Sequence, residues 1–153
     1  KTVMANHLRR QIRERIVTDV TGLSTTGSNV FESRVYPIEE SKLPCILVYD
    51  ADEELTIDSS GSPREIASEL TVTIEGYAQG GSGKTVMRTL NAIQKEIQIA
   101  MSGDIRVNNK ARDSYLVSAD ASMNAEATKP TGTVRLSYLV IYQFKEDRPD
   151  VAV

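Results

Sequence analysis

The stretch REIASELTVTIEGYA, residues 64 to 78, constrains the fold more than any other part of the chain. Leu70, Val72 and Ile74 alternate with Thr71, Thr73 and Glu75, so an extended backbone sends the apolar side chains to one side and the polar ones to the other. Alternation of this kind belongs to a strand whose sheet is covered on one face, the usual condition of antiparallel sheets. LPCILVYD, residues 43 to 50, differs: after Pro44 it is an unbroken apolar run, expected at the centre of the sheet with both faces covered. The acidic residues Asp50, Asp52, Glu53 and Glu54 that follow read as the solvated end of a hairpin. VFESRVY at 30 to 36 is a further strand by its alternation. The segment from Ser114 to Phe144 predicts two long strands joined around Lys129-Pro130-Thr131-Gly132.

Two helices complete the pattern. Leu8, Ile12, Ile16 and Val20 recur every four residues opposite Arg9, Arg10, Arg13, Glu14 and Asp19, with Asn6 placed to cap the start and Gly22 to stop the end. Val86, Leu90, Ile93, Ile97 and Met101 form the second stripe, closed by Gly103. The order is helix, three strands, helix, then two or more strands, and the length of 153 residues suits one domain covering 1–153. The ends, 1–5 and 146–153, are expected to fray. With no Trp and two Phe, the core has to be made of Ile, Val, Leu and a few Tyr. The fold class is α+β: a mixed, mostly antiparallel β-sheet packed against two α-helices, with extended hairpins.

A net charge of −3 argues against a general nucleic-acid binder, which carries a basic excess. The lone Cys45 forms no internal disulfide and reads as a small buried residue, and no apolar run reaches the roughly 18 residues of a membrane span. A soluble protein of the cytosol is expected, with no membrane association.

The segment AQGGSGKTVMRTL at 78–90 is the most provocative candidate site. With Ala78 in place of the first glycine, Gly83, Lys84 and Thr85 satisfy a relaxed phosphate-loop pattern, in which backbone N–H groups wrap phosphates and the lysine neutralises them. The surroundings disagree with it. Phosphate-loop enzymes build a buried parallel sheet from strand and helix units, whereas the strand before this loop alternates and its neighbours are joined as hairpins. Gly83, Lys84 and Thr85 therefore read as a decoy. The acidic run with Asp58 beyond it lacks the glycine and terminal glutamate spacing of a calcium loop. His7, the sole histidine, stands at a helix start with no nucleophile in a known motif, and Lys84 occupies the place of the second glycine of a nucleophile elbow. Arg9, Arg10, Arg13 and Arg15 make the first helix basic, but no aromatic residues are interleaved for base stacking. No catalytic residue, cofactor or metal is expected.

MANHLRRQIRERI, then VFESRVYPIEESKLPCILVYDADEE, then the strand ending IEGYA before a helix, and finally TGTVRLSYLVIYQ together resemble the tail-terminator proteins of long-tailed bacteriophages. The resemblance spans nearly the whole chain and is most specific from VYP through LPCILVYD and in the last Tyr-rich strand. It implies an α+β fold, a structural role without an active site, and a homo-hexameric ring that caps the tail tube. Such a ring stops tail growth, offers a joining surface to the head-tail connector or neck protein, and lets DNA pass through its lumen without specific binding. It implies a place in the virion tail, assembled in the host cytoplasm. The GGSGKT loop is not part of the resemblance. Subunit contacts are expected between Arg9, Arg10 and Arg13 and the acidic Asp52, Glu53 and Glu54, with the loop from Gly80 to Lys84 on a rim. Two alternatives stay open: another neck or tail completion protein, and a P-loop nucleotide hydrolase using residues 78–85.

Overall fold

The computed structural model describes residues 5–33, 39–124 and 129–153. Helix α1 (Leu8–Asp19) is followed by the short strand β1 (Val30–Phe31), a single 3-10 turn at Glu40–Lys42, strands β2 (Cys45–Ile57) and β3 (Glu65–Gln79), and helix α2 (Gly83–Ser102). Strands β4 (Asp113–Asn124), β5 (Thr131–Lys145) and β6 (Arg148–Ala152) end the chain. Among the described residues the strands form one sheet in the order β1-β2-β3-β5-β4, with β6 attached to the far end of β5. β1 is parallel to β2 and every other pair is antiparallel. The α+β class and the mostly antiparallel sheet read from the sequence are both present.

Alternation decides which face of the sheet the helices cover. Val72 and Ile74 of β3, Val134, Leu136 and Val140 of β5, and Ile46 and Val48 of β2 all point one way and are fully buried. Leu8, Ile12 and Ile16 of α1 and Val86, Leu90, Ile93 and Ile97 of α2 close over them in one core. Two glycines let α2 come close. A Cβ on Gly76 would stand 2.6 Å from Ile93 Cγ2, and one on Gly132 would stand 2.7 Å from Val86 Cγ1 and 2.8 Å from Leu90 Cδ1. Both positions lie directly under α2, where a methyl group has no room.

The helix termini are capped by neighbours of the expected residues. His7, and not Asn6, caps α1: its Nδ1 accepts the Arg9 N–H at 3.0 Å. Gly22, with φ +87°, lies beyond the end of the helix, whose last turn closes at Val20. α2 starts at Gly83, three residues before its stripe begins at Val86, because the Ser82 hydroxyl accepts the Thr85 N–H at 3.2 Å and caps the first turn. Gly103 ends α2 as expected, with ordinary backbone angles; the left-handed residues come later, at Val107, Asn108 and Asn109.

Three other stretches differ from the sequence pattern in detail. β2 runs seven residues past Asp50, so the acidic stretch is strand and not a hairpin end. Of the strand expected at 30–36 the structure has Val30–Phe31, while residues 34–36 fall outside the described part. In the C-terminal tail, expected to fray, β6 pairs with β5, and Asp150 is buried with Arg148 Nε at 2.9 Å and the Ala5 N–H at 3.2 Å. Arg148 holds the Asp150 carboxyl down at about 2. Of the expected fraying N-terminus, residues 1–4 are likewise outside the described part.

The end of α1 is tied to the segment after α2 by one arginine between two carboxyls. Arg15 Nε lies 3.1 Å from Asp19 Oδ1 and 3.0 Å from Asp104 Oδ2. Asp104 Oδ1 accepts the Asn108 N–H at 2.9 Å, holding the left-handed turn. Burial, and then the hydrogen bond and repulsion from Asp104, push the Asp19 carboxyl up from 3.8 to about 7. Asp104 is held low by that same hydrogen bond, against its own burial.

Two predictions follow from this geometry. Gly132→Ala should cost about 1–3 kcal/mol in urea unfolding, because the core cannot absorb the added methyl group; a variant as stable as the wild type would contradict the close approach of α2. In the folded chain Asp19 keeps a proton that the unfolded chain has released, so stability should fall as pH rises from about 4 to 7. Asp104, held low in the folded chain, is ionised in both states above about pH 5 and adds no slope there, while near pH 4 it opposes the decline. Asp19→Asn should flatten the decline in thermal melts, and an unaltered pH profile would refute the shared proton.

Candidate assembly surface

The residues singled out around α1 and β2 meet inside one chain. Along β2 the register steps from Asp50, opposite Val72, to Glu53, opposite Leu70, so three residues of β2 match two of β3. This bulge inserts one extra residue and turns Asp50 and Glu53 to the same side, toward α1. Arg9 Nε donates to Asp50 Oδ2 at 2.8 Å, and Arg13 Nη1 reaches the same oxygen at 2.8 Å and Glu32 through Nε at 2.6 Å. Arg9 also donates to the Ala51 carbonyl at 3.0 Å and lies 3.9 Å from Glu53 Oε1. Glu53 Oε2 accepts the Ser68 hydroxyl at 2.8 Å and the Tyr142 hydroxyl. Burial, reinforced by Glu53, pushes the Tyr142 phenol far up, so it stays a donor at all ordinary pH.

Arg9, Arg13 and Glu53 are therefore brought together as an internal strut. Arg10 points outward and pairs with Glu14 one turn on, at 2.5 Å. Asp52 and Glu54 are exposed, as is Lys84. Of the residues expected at subunit contacts, Arg10, Asp52, Glu54 and Lys84 stand on the surface; Arg9, Arg13 and Glu53 hold α1 to the sheet.

The glycine loop has a geometry of its own. Residues 80–82 alone separate β3 from α2, and Gly83, Lys84 and Thr85 already belong to the helix. The Gly80 N–H donates to the Pro130 carbonyl at 3.1 Å, the Thr85 N–H to Ser82 Oγ, and the Val86 N–H to the Ser82 carbonyl at 3.1 Å. These amides are engaged within the chain, and β3 runs antiparallel to both of its neighbours. A phosphate loop needs free amides at the end of a parallel strand. The segment works as a tight connection with a serine cap.

On the face away from the helices, Glu75 is 4% exposed and receives the Tyr49 hydroxyl, the Tyr77 hydroxyl at 2.5 Å and Arg135 Nε at 3.2 Å. Burial first, then Glu75, pushes the Tyr77 phenol far up. Cys45 is fully buried and its thiol is pushed up to about 11 by burial, in line with the inert role read from the sequence. His7 is engaged as the cap of α1 and stands edge-on to Phe144, ring centres 6.4 Å apart.

No protein-family model matches this chain, and no curated protein does. Among solved structures it is similar to a chain in the virion of a native gene transfer agent particle. The two chains share a fold. The TM-score is 0.54 over 94% of this chain and 100% of that one, at 12% identity. The match leaves little of this chain and none of the other outside it.

Sequence reasoning missed several surface features. Leu55 and Ile57, in the part of β2 beyond the acidic run, are 58% and 57% exposed. Glu54 lies directly across the ladder from Glu69, and both are exposed. α2 carries Lys84, Arg88 and Lys95 on its outer side. A strand continuing through ELTI, and charges spaced by four and seven on the second helix, were the signals available.

Asp50→Ala should cost about 2 kcal/mol or more, since it strips two half-buried guanidinium groups of their shared carboxylate. Arg10→Ala, which breaks an exposed helical pair, should cost under about 0.5 kcal/mol. Urea unfolding of both variants checks the ranking; equal costs would mean that the internal strut contributes nothing special.

Proposed function

We propose that this chain is a structural protein of a virion tail, a tail terminator whose copies close into a hexameric ring on the end of the tail tube. The observation that carries the reading is the fold shared, end to end, with a chain of the gene transfer agent virion. The sequence resemblance supports it independently, because the segments that carry it are structural cores here: LPCILVYD supplies the buried start of β2, and TGTVRLSYLVIYQ supplies β5. In this role the chain works through its surfaces and makes or breaks no bond. One face of the ring binds the tube and blocks further addition; the other meets the head-tail connector. A head-to-tail contact repeated around an axis gives two unlike ring faces, which a cap between two different neighbours requires. The net charge of −3 suits a lumen that lets DNA slide through, since acidic or neutral walls do not hold phosphates. Arg10, Asp52, Glu54 and Lys84 are the surface groups of the earlier set placed to meet a neighbour, with Gly80 and the loop after it on the rim.

Particles assembled without this protein should carry tails of irregular, excessive length or lack heads, scored by electron microscopy; tails of uniform normal length would reject the role. In complete particles the protein should be present at six copies per tail, counted by quantitative mass spectrometry against the tube protein.

A further inference from the structure

We infer that the open face of the sheet receives helix α2 of a second copy of this chain, with a row of carboxylates on one copy meeting a stripe of cations on the next. The inference rests on the proposed ring and names the surfaces that would close it.

The row follows from register. Glu54 of β2 faces Glu69 of β3, Glu69 faces Ile141 of β5, and Ile141 faces Asp113 of β4. All four project from the side opposite the helices, because their chain neighbours Leu70 and Val140 are buried beneath α1 and α2. Glu54, Glu69 and Asp113 are exposed, and neither glutamate side chain has an ion pair or hydrogen bond among the described residues. Asp113 accepts the N–H of Ser114 beside it. Like charges directly across a ladder destabilise it, so Glu54 and Glu69 call for a cation that their own surroundings do not supply. The adjacent row holds Leu139 and Tyr115, the latter 45% exposed, so the acidic row borders an apolar band with Ile141.

The stripe follows from helical geometry. At about 100° per residue, Lys84, Arg88 and Lys95 fall within roughly 40° of one another on α2. Met87 and Ile99, 55% and 61% exposed, flank them on either side. Lys84, Arg88 and Lys95 have no acidic partner among the described residues. The sole acid of the helix, Glu96, is engaged by the Thr25 N–H at 2.8 Å and the Thr25 hydroxyl at 2.5 Å.

The dimensions agree. Lys84 to Lys95 spans roughly 16 Å along the helix axis, and Glu54 to Asp113 spans three strand spacings, roughly 14 Å. Three pairs can therefore form together, with Met87 and Ile99 against Leu139, Ile141 and Tyr115. The charges fix partner and register while the apolar contacts supply affinity. The two surfaces differ, so the contact is head-to-tail, the kind that closes into rings.

The test uses two reversed variants of the whole chain. The face variant is Glu54→Lys with Glu69→Lys; the helix variant is Lys84→Glu with Arg88→Glu and Lys95→Glu. All five positions are exposed, and circular dichroism checks that both variants keep the fold. Each variant alone should need about tenfold more protein, or more, to assemble, read by mass photometry and light scattering. Mixed in equal amounts they should assemble again, because each reversed surface then meets its reversed counterpart around an even-membered ring. Variants that assemble alone as the wild type does would overturn this contact and leave the ring itself standing. If the wild type stays monomeric in isolation, Arg88→Cys with Ile141→Cys is oxidised at high concentration and run on a non-reducing gel. Linked oligomers support the contact; their absence overturns it, and the ring is then judged on the tail particles alone.

Discussion

Fifteen consecutive residue pairs join β3 to β5, from Glu65 opposite Lys145 to Gln79 opposite Thr131, and the rest of the molecule is arranged around that ladder. Its register fixes which side chains of both strands share a face. A slip by one residue would carry Val72 and Ile74 out of the core and bring Thr73 and Glu75 into it, so the alternation at 70–75 specifies the register as well as the strand. The ladder also brings Gly76 and Gly132 close together, on adjacent strands and beneath the same turns of α2. There the helix approaches to within a methyl group's width, with Val86, Leu90 and Ile93 of its apolar stripe over the two glycines. Ile97 and Met101 extend the same stripe toward α1, where Arg15 clasps Asp19 and Asp104.

The bulge in β2 plays the matching part for α1. Without the extra residue, Asp50 and Glu53 would point to opposite sides of the sheet, and one of them would lose its arginine. With it, both carboxylates face α1 and take up the positive charge of Arg9 and Arg13. The same extra residue sends Glu54 outward, opposite Glu69. One local irregularity therefore sorts a run of acids into two groups with different work: Asp50 and Glu53 hold the fold together, and Glu54 adds to an outward carboxylate row. Arginine suits the first task, because its several donors can serve Asp50, Glu32 and a backbone carbonyl at once.

What could be read from the sequence follows the same division. The two helical stripes, the alternating strand at 70–75 and the apolar run at 45–48 were legible, because each is a periodic burial pattern with one physical solution. Cys45 to Val48 are indeed buried on both faces. The continuation of β2 was hidden, since a bulge breaks the alternation and four acids in five residues look like loop. β6 was hidden by Glu146, Asp147 and Arg148, charges that mark a tail unless a buried partner such as Asp150 pairs with one of them. Of the arginines of α1 expected to meet Asp52, Glu53 and Glu54 of another copy, Arg9 and Arg13 turn instead to Asp50 of their own chain and Arg10 to Glu14, because sequence carries no information on whether such a pair closes within a chain or between chains. The glycine loop shows the opposite limit. A motif of the right letters can arise wherever a strand meets a capped helix, and here the N–H groups of Gly80 and Thr85 go to Pro130 and Ser82.

The distribution of charge bears on why a chain of this kind would work in company. Inside the molecule the ionic groups are closely matched: Arg9 and Arg13 with Asp50, Arg15 with Asp19 and Asp104, Arg135 with Glu75, Arg148 with Asp150. Two surface groups stay apart: Lys84, Arg88 and Lys95 along α2, and Glu54, Glu69 and Asp113 across the opposite face of the sheet. The sheet itself lies between the two groups, so no side chain reaches from one to the other. The segregation costs little in water, where exposed charges are screened within about 10 Å at moderate salt. It also cannot be relieved by any rearrangement of a lone chain. Only a neighbour can bring the two signs together, and a neighbour that does so through unlike surfaces leaves the same pair of surfaces free at either end for the next copy. On the contact proposed above, the chain supplies its own partner, and the angle at which the two surfaces meet decides whether the series closes.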